Sequence, residues 1–153
     1  MAFRLAKESD LPTLVELLRQ LSKVESDFPF NAEKQRAGLQ LLYEKRDAYV
    51  FVVEMGGMIA GMATIQEQIS TVEGGVVGLV EDVVVHTSFR GKGVGKEMMD
   101  HLKATAEVKG YKRLQLLADI NNTSGESFYA SQDWQPTQLK QWRWLPEPES
   151  AIC

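Results

Sequence analysis

The chain has 153 residues, enough for one domain with a proper core. Its formal charge of −4 argues against nucleic acid or an anionic membrane as the main partner, so any anion site has to be local. Cys153 is the one cysteine and can form no internal disulfide, and no run approaches the roughly 18 apolar residues of a membrane span. A soluble, reducing, cytoplasmic setting is the expectation.

In chain order, "FRLA" reads as a short edge strand. Ser9 and Asp10 ahead of Pro12 form a helix start, and Leu11, Leu14, Val15, Leu18 and Leu21 recur at helical spacing, predicting a helix over 10–23. "VESDFPFN" interrupts it, and a second helix is expected over 32–45. "AYVFVVE", the turn "MGGM" and "IAGMATIQEQ" read as a β-hairpin. "VVGLVEDVVV" is a nearly continuous apolar run, a strand buried on both faces. Val94, Met98, Met99, Leu102 and Ala106 then predict a helix that stops at Gly110. "KRLQLLA" is a further strand, Thr123 and Glu126 suggest a capping box for a short helix to about 132, and "TQLKQWRW" is expected to form a final strand. This order implies one α/β domain over residues 1–146 with a mixed sheet, followed by a polar tail over 147–153.

Between the long strand and its helix lies "FRGKGVGK". Glycines reach left-handed conformations and leave backbone N–H groups open to an anion at a helix N-terminus. A Walker A pattern fails twice, because its first glycine would fall on Arg90 and Glu97 replaces Ser or Thr. The dinucleotide pattern G-x-G-x-x-G fails because Gly91, Gly93 and Gly95 are spaced two apart. An ordinary glycine turn stays open on this stretch alone.

Arg90-Gly91-Lys92-Gly93-Val94-Gly95 reads as R-x-x-G-x-G and resembles the pyrophosphate-binding loop of the GNAT superfamily of N-acetyltransferases. The likeness extends to "FRLAKESDLPTLVELLRQL", to "VGLVEDVVVHTSFRGKGVGKEMMDHL", and to "NTSGESFYASQDW", which is similar to the family's N-x-x-A-x-x-x-Y-x-x-x-G-F. Asn122 and Tyr129 fall on its Asn and Tyr; Gly125 stands for the Ala, and Asp133-Trp134 for Gly-Phe. The resemblance implies a mixed, mostly antiparallel sheet flanked by about four helices, with acetyl-CoA as co-substrate. It places the cofactor on Arg90, Gly91, Lys92, Gly93, Val94, Gly95 and Lys96, on the backbone of Val83, Val84 and Val85, and on Asn122. Asn122 reads equally well as a helix cap, and lone surface cations such as Arg90, Lys92 and Lys96 often add little.

Acetyl transfer to an amine needs a base for an ammonium that titrates near about 10 and an acid for a thiolate whose thiol titrates near about 8.5. Glu81 is the candidate base, directly or through water. A carboxylate inside "GLVEDVVV" is costly without a partner or a task, although pairing with arginines or capping helices would also explain it. Strand alternation is expected to send Glu81 and Asp82 to opposite faces. The resemblance makes Tyr129 the acid; without it, Tyr129 next to Phe128 reads as a core aromatic. His86 and His101 lack partners at metal spacing, so no metal is expected. The acceptor is expected over "SKVESDFPFN", the hairpin around 66–75 and "LKQWRW", where Glu25, Asp27, Glu67 and Glu73 could attract an amine and Trp142 and Trp144 could form an apolar wall. The leading reading is a small-molecule amine acceptor attacked directly in a ternary complex. A protein or peptide N-acetyltransferase and a non-catalytic acyl-CoA-binding module are the alternatives. Resemblance to glucosamine-6-phosphate N-acetyltransferases is concentrated in the cofactor half, and a homodimer is common in the family without any interface being specified here.

Overall fold

Strand β1 (Ala2–Leu5) forms one edge of a five-stranded sheet and is followed in space by β2 (Ala48–Met55), β3 (Met58–Ser70), β4 (Gly75–Val85) and β5 (Leu114–Leu116). β1 to β4 pair antiparallel and β5 joins β4 in parallel. Four helices flank the sheet: α1 (Leu11–Leu21), α2 (Ala32–Glu44), α3 (Val94–Lys109) and α4 (Thr123–Ser131). This computed structural model describes residues 1–25, 27 and 29–147; the expected tail falls outside them except for Glu147. Among the described residues, no helix is long and apolar enough to cross a membrane.

Alternation along β2 divides the interior. Val50 and Val52 face α1 and α2, joining Leu14, Leu17, Leu39 and Met62; Phe51 and Val53 face α3, joining Ile65, Val94, Met98, Met99 and Leu102. Leu14 and Leu17 are fully buried, each worth about 2 kcal/mol in apolar surface removed from water. The polar side of the first layer is tied by Arg4, whose guanidinium donates to Asp10 at 2.8 Å and to Glu54 at 2.6 Å, pinning the start of α1 to β1 and β2. That hydrogen bond holds the Asp10 carboxyl below the usual carboxylate range.

Three expectations are corrected. Residues 137–144 form no strand and join no sheet edge: Leu139, Trp142 and Trp144 are 90%, 88% and 83% exposed, so they supply no apolar wall. An alternating pattern makes a strand only when a partner edge takes its hydrogen bonds. The cap of α4 is Asn122 rather than Thr123, its Oδ1 accepting from Gly125 N at 3.0 Å. The third concerns Glu81 and Asp82.

Candidate active site

The β3–β4 register shifts between Met62 and Thr64. Thr64 opposes Glu81 and Met62 opposes Val84, so Asp82 and Val83 together face the single residue Ala63. This is a β-bulge. Asp82 takes φ +54°, a left-handed conformation uncommon outside glycine but tolerated by Asp. The bulge flips the alternation: Val80 packs in the α3 core, whereas Val84, four residues on, packs in the α1 core. Glu81 and Asp82 consequently line the same pocket, against the expectation from strict alternation. The fully buried Thr64 donates its hydroxyl to Glu81 O at 3.1 Å, with Asp82 Oδ2 at 3.5 Å.

Electrostatics draw further groups into this site. Burial pushes the Asp82 carboxyl up to about 6, with the charge of Glu81 adding to it and the Thr64 hydroxyl opposing. Burial also raises Glu81, even though its side chain reaches solvent. Glu25, in the turn after α1, is raised to about 7, first by burial and then by the charges of Asp82, Asp119 and Glu81. Tyr129 on α4 is pushed up to about 12, by burial and by the charge of Glu25. Glu25 thus sits within electrostatic reach of both β4 carboxylates and the phenol. Like charges gathered in one site raise one another, so each carboxyl here holds its proton to higher pH than it would alone.

The sheet parts beside this cluster. β4 and β5 pair only from Gly78–Leu114 to Val80–Leu116, which leaves the β5 side of β4 without a strand from Glu81 onward. His86 N bonds Ala60 O at 2.8 Å toward β3, so alternation turns the backbone of Val85 and Val83 the other way, into the gap. Val84 instead pairs with Met62.

The glycine loop closes that gap. Gly91 and Gly93 sit at φ +74° and +80°, and Gly93 is the cap of α3, whose first N–H groups are aimed outward by Val94, Gly95 and Lys96. Gly95 has a different reason. Its φ is ordinary, but a Cβ there would lie 3.0 Å from the Phe128 ring, so its bareness lets α4 lean on the loop. Arg90 Nε donates to Val85 O at 3.4 Å, Lys92 lies 5.5 Å from the Phe89 ring centroid, and Lys96 turns along α3 to Asp100 at 2.7 Å. Gln20 on α1 accepts from Thr87 N at 3.0 Å, fixing the loop's start; composition and spacing gave no hint of this buried glutamine.

Other candidates are committed elsewhere. Glu67 accepts from Tyr111 at 2.6 Å, and Glu73 pairs with Arg113 at 3.2 Å. His86 accepts from Ser88 N at 3.0 Å, and His101 stacks on Phe3 with centroids 4.5 Å apart. No group of three or more His, Cys, Asp or Glu among the described residues is arranged to hold a metal ion.

Comparison with known proteins agrees with this architecture. The sequence pattern described as "Acetyltransferase (GNAT) family" matches residues 15–134. The chain belongs to the GNAT acetyltransferase family. It is 33% identical over 116 residues to a glucosamine 6-phosphate N-acetyltransferase of Trypanosoma brucei brucei, covering 72% of this chain and 74% of that one. Its fold matches a possible acetyltransferase from Clostridium difficile 630 with TM-score 0.83 at 16% identity, over 94% and 96% of the two chains. It also matches glucosamine-6-phosphate N-acetyltransferase from Arabidopsis thaliana with TM-score 0.73 at 22% identity, over 94% and 97%. As a GNAT protein the chain is an acyltransferase, and its mixed sheet with four helices is the fold of those structures.

One departure from the family pattern has a physical resolution. Asp133 stands where the GNAT segment has Gly, and it adopts φ +68°, the left-handed conformation a glycine would supply. The turn survives, and Trp134 N reaches Tyr129 O at 3.1 Å. The Trp134 indole packs 6.3 Å, centroid to centroid, from Tyr129, so the substituted pair supports the candidate acid.

Proposed function

We propose that this GNAT acetyltransferase moves an acetyl group from acetyl-CoA to the primary amine of a small-molecule acceptor by direct attack in a ternary complex. The observation that carries the reading is the convergence of Glu81, Asp82, Glu25 and Tyr129 where β4 parts from β5. The bare amides at Gly91 and Gly93 fit a pyrophosphate, and the β5 side of Val83 and Val85, which no strand pairs, fits an amide-bearing arm bound like a strand. Arg90, Lys92 and Lys96 add positive charge around the loop, and Asn122 keeps its amide N–H groups for the arm while its oxygen caps α4.

Acetyl-CoA, when bound, supplies the thioester carbonyl and the thiolate that leaves. Glu81 accepts a proton from the acceptor ammonium, freeing the nitrogen lone pair. Its raised carboxyl lies closer to neutrality than an ordinary glutamate, which improves the match to proton transfer. Tyr129 stays protonated throughout the working range and donates to the departing sulfur. The phenolate then recovers a proton from the nitrogen that has become an amide. The net proton leaves through the carboxylate cluster to solvent.

The test is to titrate acetyl-CoA and then follow thiol release across amines that include glucosamine 6-phosphate, alkyl and arylalkyl amines, and a lysine peptide. Saturable acetyl-CoA binding with turnover on free amines is expected. Turnover confined to the peptide would contradict the small-molecule acceptor, and binding without turnover on any amine would make the chain a binding module.

A further inference from the structure

A pocket of about 440 Å³ lies between α1, α2 and the β3–β4 face. That falls within the roughly 300–1,000 Å³ usual for small-ligand sites. Glu81 and Asp82 stand on its sheet wall, Leu18, Leu21 and Leu39 form an apolar floor, and Lys34 lies at its α2 side. One lining residue has no structural explanation. Gly38 occupies the middle of α2, where glycine is the least favoured residue after proline. Its φ is not left-handed, so no turn requires it, and a Cβ there would meet nothing within 4 Å, so no close packing requires it either. Lys34, Leu41, Leu42 and Lys45 line the pocket at helical spacing on either side of Gly38, so position 38 lies on the face of α2 turned to it.

We propose that this pocket receives the acceptor as a primary amine carried on an apolar alkyl or aryl body, and that Gly38 sets the pocket's width and so its acceptor selectivity. The inference rests on the acetyl-transfer reading above and adds the substrate class. The charge arrangement fits that occupant: the ammonium lies at the β4 carboxylates, the carbon body on the leucine floor, and the missing side chain of α2 leaves room for its bulk. Lys34, which has no ion-pair partner among the described residues, disfavours a second cationic group at that end.

Gly38→Ala and Gly38→Leu separate this role from a purely structural one. Alanine removes a helix-weakening residue and is expected to raise the melting temperature while raising KM for 2-phenylethylamine about threefold to tenfold. The kcat and the acetyl-CoA Kd should stay near wild type. Leucine should raise that KM further, and short unbranched amines should suffer least. Stabilisation by Gly38→Ala with no change in KM for any accepted amine would overturn the inference and leave the acetyl-transfer reading intact. So would a wild-type preference in kcat/KM for the amino sugar over the apolar amines. Acetyl-CoA binding with no amine turned over would remove both.

Discussion

At the residue scale, position and environment assign different work to groups of similar chemistry. Glu67 and Glu81 both lie on the central strands, yet Glu67 is engaged by the Tyr111 hydroxyl while Glu81 opens onto a pocket. Tyr111 and Tyr129 differ in the same way. The Tyr111 phenol is raised by burial and by its bond to Glu67, which makes it a brace for the α3 side of the sheet. The Tyr129 hydroxyl makes no hydrogen bond among the described residues, and the ring is held by Phe128 and Trp134, with centroids at 5.6 and 6.3 Å, which leaves the hydroxyl available. Tyr129→Phe removes only that hydroxyl. It should lower kcat at least about tenfold while acetyl-CoA affinity and melting temperature stay close to wild type; wild-type turnover by thiol release would end its role as acid. The identity of these residues was legible in the sequence because their segment carries a recognisable spacing. The role of Glu25 at the centre of the cluster was not, because it depends on where the turn after α1 meets β4 and α4.

At the element scale, the decisive feature is the bulge in β4. Strict alternation would leave one carboxylate in the pocket; the extra residue at Asp82–Val83 places two there and re-aims the strand before it enters the gap beside β5. Periodicity cannot reveal it, since a bulge is a property of the register between two strands rather than of either sequence. By contrast, α1 and α3 were legible because their apolar stripes and end signals are local. The segment 137–144 shows the opposite failure, a strand pattern that no partner edge accepts. Thr64 holds the bulge from the neighbouring strand. Thr64→Val keeps the shape and removes the donor to Glu81 O, so it should cost about 1–2 kcal/mol in chemical denaturation and lower kcat/KM through misplaced carboxylates. Unchanged stability and rate would mean that the hydroxyl does not hold the bulge.

At the scale of the whole molecule, the sheet separates two tasks. The α3–α4 side supplies the glycine loop, with Gly95 against the Phe128 ring and Lys103 bonding Gln132 O, which ties the end of α4 to α3. The α1–α2 side supplies the pocket, with Gly38 of α2 on its lining. β4 parts from β5 after Val80, next to the Glu81 and Asp82 carboxylates. The loop half of this division was written plainly in "FRGKGVGK". The pocket half arises from packing between two helices that no short motif announces. In the proposed reaction, carboxylates brought together by the bulge take the acceptor's proton, with Glu81 as the base. The pH dependence of kcat/KM in wild type and Glu81→Gln tests it most directly. Because burial raises the Glu81 carboxyl, the base becomes protonated and the rate falls at a higher pH than an ordinary glutamate would give. An acid limb is expected in wild type, and in Glu81→Gln a rate lower by at least about tenfold with that limb displaced or lost. A wild-type rate and an unshifted acid limb in Glu81→Gln would contradict it.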